Sequence, residues 1–173
     1  MVAVSSTDAI ELIDLLEGAG VTVWVDGGWG VDALLGEQTR PHGDLDIDIP
    51  HDDLPALRRL LADAGFVHTP ADDDRPWNFV MTDGQGRRLD VHVLTIDDDG
   101  NGWYGRPGEQ HLDWPADVLT ATGTIDGRMV RTMDAAWQVA SHDGYELGAD
   151  DRADIRALCA RFDLPVPDRA LDP

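Results

Sequence analysis

Residues 24–48 read WVDGGWGVDALLGEQTRPHGDLDID, and this stretch decides the fold. The apolar run VTVWV (21–25) predicts a buried strand, and Gly27-Gly28 predicts a tight turn directly after it. A short helix is expected over 29–35. The strict alternation of DLDIDI (44–49) then predicts a second strand. This succession of strand, turn, helix and acidic strand is typical of a mixed α/β domain.

The acidic strand separates its side chains by face, because alternate residues of a strand point to opposite sides. One side carries Leu45, Ile47 and Ile49, and the other carries Asp44, Asp46 and Asp48. Neighbouring carboxylates on the acidic side attach about 6.5 Å apart, so two of them can close on one cation or bridge two. Two interpretations stay open at this point: a divalent-metal site for phosphoryl chemistry, or an edge strand with a solvated acidic face.

The glycine turn and a later aspartate add to the acidic strand. Backbone amides at Gly27-Gly28 and at the following helix N-terminus can receive an anion such as a triphosphate, although a glycine pair also simply permits positive φ. A strand predicted within 87–96 carries a third carboxylate, Asp90. Arg40 lies between the two motifs, where its guanidinium is expected either to neutralise phosphate through a bidentate contact or to form a surface salt bridge.

Composition narrows the range of functions. The chain has 173 residues, with 13 basic and 34 acidic side chains and a net charge of −21. Every basic residue is arginine, which excludes Schiff-base chemistry and a Walker-type phosphate loop, since both need lysine. The negative charge disfavours a nucleic-acid partner and favours divalent metals and cationic small molecules. The single Cys159 excludes an internal disulfide and a multi-cysteine zinc site.

The rest of the chain completes an α+β prediction. Hairpins are expected over 77–96 and 123–132, and the apolar spacing predicts the other helices over 6–18, 53–64, 134–145 and 150–162. We therefore expect a mixed sheet flanked by helices over residues 1–132, with a short helical segment over 133–173 packed on it. Neither a membrane-spanning run nor a signal peptide is evident, so a cytoplasmic protein is expected, with no membrane partner.

Segment 24–48 resembles the motif region of small antibiotic nucleotidyltransferases of the polymerase-β-like superfamily. Lincosamide nucleotidyltransferases are the nearest, followed by aminoglycoside 2″-nucleotidyltransferases. The segments LDVHV (89–93) and HDGYELGADDRADIRAL (142–158) also resemble the short lincosamide enzymes. The resemblance spans about residues 20–160 and is weakest over 97–132. It implies a polymerase-β-like nucleotidyltransferase core and Mg²⁺-dependent transfer of a nucleotide from ATP, or another nucleoside triphosphate, to a hydroxyl of a lincosamide or aminoglycoside. It also implies a homodimer.

The same resemblance implies roles for single residues. Gly27-Gly28 would hold the nucleotide phosphates, and Arg40, at the family's Thr-Arg position, would contact phosphate. Asp44 and Asp46 would bind Mg²⁺. Asp90 matches the family's third carboxylate, which serves as a metal ligand or as a general base toward the acceptor hydroxyl.

Five more residues are candidates for substrate contacts or for supporting roles around that site: Asp26, Asp32, His42, Asp48 and His92. The first two match family positions, and are equally suited to capping turns or pairing with Arg40. His42 precedes the acidic strand and is expected to orient a carboxylate. His92 shares a strand face with Asp90, and is expected to contact phosphate or substrate, or simply to hydrogen-bond beside the site.

Two other functions fit part of the pattern. The same fold and metals would serve transfer of the nucleotide to a protein acceptor. A non-catalytic nucleotide- or calcium-binding module would instead bind without turnover, and residues 97–102 copy the first half of a calcium loop. The twelfth position of that loop is Gly108, however, and Glu109 comes one residue late. The complete set of three aspartates favours an enzyme over such a module.

Overall fold

A computed structural model describes residues 2–71, 74–105, 113–142 and 145–171. Over these ranges the helices are α1 (Ser6–Gly18), α2 (Gly27–Leu35), α3 (Leu54–Asp63), α4 (Ala135–Ser141) and α5 (Ala149–Phe162). The strands are β1 (Trp24–Asp26), β2 (Leu45–Pro50), β3 (Val67–Thr69), β4 (Asn78–Thr82), β5 (Arg88–Ile96), β6 (Gly102–Tyr104), β7 (Asp113–Trp114), β8 (Thr122–Ile125) and β9 (Arg128–Arg131). The predicted α+β class, with a mixed sheet and flanking helices, is confirmed.

The main sheet places the acidic strand next to the strand that carries Asp90. Its order is β1-β2-β5-β4-β3, and β6 and β7 extend it beyond the far end of β5. The β2–β5 pair is parallel, and the other pairs in the sheet are antiparallel. β8 and β9 form a separate hairpin whose turn has positive φ at Asp126 and Gly127, as its Asp-Gly sequence predicts.

The apolar face of the sheet forms the main core. Side chains of β2 and β5 that alternate with the aspartates are buried there, namely Leu45, Ile47, Ile49, Leu89, Val91 and Val93. Helices α1 and α3 cover this face with leucine and isoleucine side chains. The acidic residues therefore all lie on the opposite face, as the alternation predicts.

Local signals account for the helix ends around the site. Ser5 begins α1 through a capping box, Asp26 caps α2, and Gly36 ends α2 with φ +79°. Asp53 lies at the start of α3, but its carboxylate does not cap the helix. Its Oδ2 instead accepts a hydrogen bond from the backbone N–H of Thr22, which ties the start of α3 to the segment before β1.

Several boundaries differ from the sequence prediction. The first strand begins at Trp24 rather than at residue 21, and the helix after it begins at Gly27 itself rather than at Trp29. Strands β3, β6 and β7 were not predicted. They have two or three residues each, too short for an alternating pattern to identify.

The C-terminal helices pack against α2. The buried side chains of this contact are Val31, Ala135, Val139, Leu147, Ile155, Leu158, Cys159 and Ala170. Cys159 is buried in this contact, and burial raises the pKa of its thiol. The division between residues 1–132 and 133–173 stays a prediction. Over the described ranges, no helix combines the length and apolar character needed to cross a bilayer.

Candidate active site

Three aspartates form a row across neighbouring strands. Asp26 of β1 pairs in register with Asp46 of β2, and Asp46 pairs with Asp90 of β5. One step further along the strands, Asp48 pairs with His92. Because register partners in a sheet share a face, these side chains gather on the acidic face. The predicted convergence of Asp46 with Asp90 is therefore a consequence of the parallel β2–β5 register.

The centre of the row offers ligands for a cation. Asp46, Asp90 and His92 each contribute one ligand atom, and these atoms lie within 4.8 Å of one another. Burial raises the pKa of Asp46 well above its usual range, and the charges of Asp44, Asp26 and Asp90 add to the shift. Like-charged groups held this close repel one another, and a bound cation would offset that repulsion.

The donor set fits a magnesium ion. Carboxylate oxygens are the protein ligands that Mg²⁺ prefers, and Asp46 and Asp90 supply two of them. Asp44 immediately precedes β2, and its charge acts on Asp46. The sequence had not placed His92 among the ligands, since a histidine two residues after an aspartate has no distinctive metal-site spacing.

The glycine pair is required by close contacts at the start of α2. Gly27 has φ +54°, and a Cβ atom built there would lie 2.2 Å from Oδ2 of Asp46. A Cβ on Gly28 would lie 2.3 Å from Nδ1 of His42 and 2.8 Å from Nη2 of Arg40. A side chain at either position would displace a residue of the site. The two glycines therefore let Asp46 and Arg40 lie directly against the N-terminus of α2.

Asp26 and Asp32 have different roles in the structure. The carboxylate of Asp26 accepts a hydrogen bond from the backbone N–H of Gly27 at 2.6 Å, so this residue caps α2. Asp32 is buried and accepts hydrogen bonds from the backbone N–H and the hydroxyl of Thr39. Its other oxygen lies 2.5 Å from Nε2 of His42. His42 thus contacts a carboxylate, as expected, but that carboxylate belongs to α2 and not to the acidic strand.

Arg40 lies in the same network. Its Nη1 contacts Nδ1 of His42 at 3.1 Å, and its Nη2 lies 2.7 Å from Oδ2 of Asp154 on α5. Asp154 is buried, and it is a part of the site that the sequence analysis missed. No local pattern could identify it, because 114 residues separate it from Arg40.

Asp48 is a buried carboxylate that forms no ion pair with the described residues. It is 0% exposed, and its Oδ1 accepts a hydrogen bond of 3.5 Å from the hydroxyl of Tyr104. Its Oδ2 has no hydrogen-bond partner among the described residues. Burial, together with the charges of Asp26 and Asp46, raises the pKa of Asp48 well above its usual range. This side chain is not solvated, so the alternative of a water-exposed acidic face does not hold at Asp48.

Tyr104 joins Asp48 to His92. Its ring lies 5.9 Å from the imidazole of His92 and packs edge-on against Trp114. Burial and the charge of Asp48 raise the pKa of the Tyr104 hydroxyl well above its usual range. Tyr104 belongs to β6, a three-residue strand for which no pattern in the sequence predicted a place beside the site.

The calcium-loop hypothesis is only partly covered by the structure. The Asp97 carboxylate accepts hydrogen bonds from the backbone N–H groups of Asp99 and Asn101 and from the Asn101 amide. It therefore holds its own turn closed. The end of the proposed loop, including Gly108, lies outside the described residues, as does Glu109.

Comparison with protein-family models gives a match over residues 8–158 to the family described as aminoglycoside-2″-adenylyltransferase. The chain is also 31% identical to a lincosamide resistance protein of Staphylococcus haemolyticus over 158 residues, which are 90% of this chain and 94% of the relative. Both matches include the glycine turn, the acidic strand and Asp90.

Solved structures agree with this assignment. The lincomycin-bound crystal structure of the lincosamide antibiotic adenylyltransferase LnuA has a TM-score of 0.79 and 29% identity, covering 91% of this chain and 98% of LnuA. The solution structure of the antibiotic-resistance factor ANT(2″)-Ia shares the fold, with a TM-score of 0.66 and 20% identity over 91% of this chain and 85% of that one. The chain is a nucleotidyltransferase and belongs to the aminoglycoside-2″-adenylyltransferase family.

Proposed function

We propose that this enzyme transfers AMP from ATP to a hydroxyl of a lincosamide antibiotic. The observation that carries the proposal is the row of Asp26, Asp46 and Asp90 at the glycine start of α2, in a chain that is similar to a lincosamide resistance protein over almost its whole length. The aminoglycoside name of the family model makes aminoglycosides the second candidate acceptors.

The metal would be held by Asp46 and Asp90, with His92 and Asp44 beside them. Bound Mg²⁺ supplies positive charge that offsets the negative charge of the phosphate oxygens during transfer. Carboxylates lie close together on three adjacent strands although their charges repel one another. This arrangement agrees with metal binding. The homologous fold and the preference of carboxylates for magnesium support the choice of metal.

The nucleotide would lie at the N-terminus of α2. The backbone amides of Gly27-Gly28 and the positive end of the helix dipole attract phosphate. Arg40 lies against the same turn and adds a guanidinium, which forms bidentate hydrogen bonds to phosphate oxygens. These groups would orient the triphosphate so that its α-phosphorus faces the aspartate row.

The transfer step is a displacement at phosphorus. The acceptor hydroxyl oxygen forms a bond to the α-phosphorus, and the bond from that phosphorus to the bridging oxygen of the β-phosphate breaks. Pyrophosphate leaves with the bonding electron pair. Asp90 accepts the proton of the hydroxyl, because it lies at one end of the row and its side chain is 22% exposed. The acidic face and the net charge of −21 favour an acceptor that carries an ammonium group.

The proposal is tested by mass spectrometry of reaction products. The protein is incubated with Mg²⁺, each of the four nucleoside triphosphates, and a panel of lincosamides and aminoglycosides. We expect one lincosamide to gain one AMP, and we expect no product from Asp46→Asn. Asp83→Asn is the matched control, because it removes the charge of a carboxylate that pairs with Arg87 in the β4–β5 turn.

Other outcomes identify the rival functions. Labelled protein bands without a modified drug indicate a protein acceptor. Nucleotide binding without turnover of any acceptor indicates a binding module. The expected homodimer stays a prediction, and light scattering during size-exclusion chromatography tests it.

A further inference from the structure

The C-terminal helix contributes a carboxylate to the proposed nucleotide site. Asp154 lies on α5, and its side chain is only 6% exposed. Its Oδ2 lies 2.7 Å from Nη2 of Arg40, and both of its oxygens lie within 3.4 Å of Nε of Arg40. The edge of the guanidinium formed by Nε and Nη2 is thus held by one buried group. Hydrogen bonds between charged groups are shorter and stronger than those between neutral groups.

The same guanidinium is held on its third nitrogen by His42. An arginine can only donate hydrogen bonds, so Nδ1 of His42 accepts from Nη1 at 3.1 Å. The imidazole proton therefore lies on Nε2, where it is donated to Asp32. Asp154 and His42 together fix the plane of the guanidinium between α5 and α2.

Two N–H groups of Arg40 remain for a ligand. A guanidinium has five N–H donors, and among the described residues Nε, one Nη2 hydrogen and one Nη1 hydrogen have partners. The remaining pair lies on Nη1 and Nη2. The Arg40 side chain is 26% exposed, so it is in part open to solvent. A Cβ atom on Gly28 would contact Nη2 of Arg40, and one on Gly27 would contact Asp46. The Arg40 donors therefore lie beside the aspartate row.

We propose that Asp154 is a positioning residue for nucleotidyl transfer, which orients Arg40 so that its two remaining N–H donors contact the triphosphate. This inference rests on the proposed function, and it makes α5 part of the nucleotide site. A long arginine side chain without an anchor samples many rotamers, and ordering it on binding costs affinity. Asp154 removes that cost by holding the guanidinium in place before the nucleotide arrives.

A purely structural ion pair is the alternative, and the chain offers a matched control for it. Asp83 has a side chain that is 5% exposed and lies 2.7 Å from Nε of Arg87. This pair resembles Asp154–Arg40 in burial and distance, but its partners lie in the β4–β5 turn and on α1. Loss of a structural pair lowers stability in either place. Only loss of a positioning contact also changes nucleotide recognition.

The test is a double-mutant cycle on steady-state kinetics with ATP as the varied substrate. We expect Asp154→Asn to raise KM for ATP about 10-fold to 100-fold, as does Arg40→Ala, because each removes an ordered charged hydrogen bond. The double variant should be within about 3-fold of Arg40→Ala alone, since Asp154 acts only through Arg40. Asp83→Asn should keep KM and kcat within about 2-fold of wild type.

Two results would overturn the inference. One is an unchanged KM for ATP in Asp154→Asn. The other is a double variant whose loss is the product of the two single losses, since that shows independent action. If Asp154→Asn does not fold, Asp154→Ser, which leaves a hydroxyl for the guanidinium, takes its place with the same expectations. Wild-type turnover separates this inference from the proposed function: failure of wild type to use ATP contradicts the function itself.

Discussion

Asp83 and Asp46 show two ways in which this chain accommodates a carboxylate that is largely shielded from solvent. Asp83 accepts hydrogen bonds from the side chain of Arg87 and from two backbone N–H groups. Burial alone would raise its pKa, but these contacts outweigh burial and lower it. Asp46 is surrounded instead by Asp44, Asp26 and Asp90, and both burial and these charges raise its pKa.

Carboxylates such as Asp83 are paired and stabilise the fold. Carboxylates such as Asp46 are instead held near like charges by the fold, despite their repulsion. The paired pattern recurs away from the site, where Arg128 contacts both Asp14 and Glu17. At the acidic row the chain does the opposite and aligns aspartates on three strands. Such an arrangement costs stability in the absence of a cation, which is the usual relation between function and stability at an active site.

Replacing one carboxylate of the aspartate row and one of the β4–β5 turn should have opposite effects on turnover and on stability. This is the largest contrast we predict. Asp46→Asn should lower turnover about 1,000-fold or more, while leaving the free energy of unfolding unchanged or raised, because a repelled charge is removed. Asp83→Asn should keep turnover and lose about 1 to 3 kcal/mol of stability, because an ionic hydrogen bond is lost. Initial rates and urea unfolding measure the two quantities. Loss of stability in Asp46→Asn equal to that in Asp83→Asn would remove the contrast.

Two glycines give a second comparison between the site and the rest of the fold. Gly27 and Gly65 both have positive φ, but a Cβ atom on Gly27 would meet Asp46, whereas nothing lies within 4 Å of one on Gly65. Gly27→Ala should therefore lower turnover about 10-fold to 100-fold by displacing a carboxylate of the row. Gly65→Ala should lose about 1 kcal/mol of stability through backbone strain and keep its turnover. Equal turnover in the two variants would show that contact with Asp46 is not needed.

The smallest predicted effect concerns how the free energy of unfolding depends on pH. The pKa of Asp48 is raised in the folded protein, so its contribution to stability is greatest below the unfolded pKa near 4 and is lost as pH rises. Asp48→Asn should therefore gain stability relative to wild type from pH 4 to pH 8 in metal-free buffer, reaching about 1 to 3 kcal/mol. Thermal unfolding should show this as about 2 to 4 °C per kcal/mol.

Asp83 provides the opposite sign for the same measurement. Its pKa is lowered in the folded protein, so its stabilising contribution is present above the unfolded pKa and is lost as pH falls. The deficit of Asp83→Asn should therefore be largest at neutral pH and shrink below pH 4, as pH falls through the folded pKa. Parallel pH profiles for the two variants would contradict the assignment of opposite pKa shifts.

The sequence predicted the features that local chemistry determines. Alternation in 44–49 assigns Asp46 and Asp48 to one face, and Asp-Gly at 126–127 predicts the β8–β9 turn, because both signals lie within a few residues. Family resemblance assigned Asp46 and Asp90 to one site. No local pattern specifies the parallel register of β2 with β5 that places them there.

The remaining site residues depend on contacts that no local pattern encodes. Asp154 reaches Arg40 from the C-terminal helix, and Tyr104 reaches Asp48 from a three-residue strand. His42 is buried against Trp29 and pairs with Asp32 of α2, so it does not orient an aspartate of the acidic strand. Each of these contacts forms only after the helices pack on the sheet.

The most direct test of the account is the Mg²⁺ dependence of pyrophosphate release from ATP in the presence of lincomycin. Wild type and Asp46→Asn are compared over a Mg²⁺ titration, with a chelator as the metal-free reference. We expect a saturable rise in rate for wild type, no release without a divalent cation, and a rate about 1,000-fold lower for Asp46→Asn at every Mg²⁺ concentration. Equal rates with and without Mg²⁺, or wild-type turnover by Asp46→Asn, would contradict it.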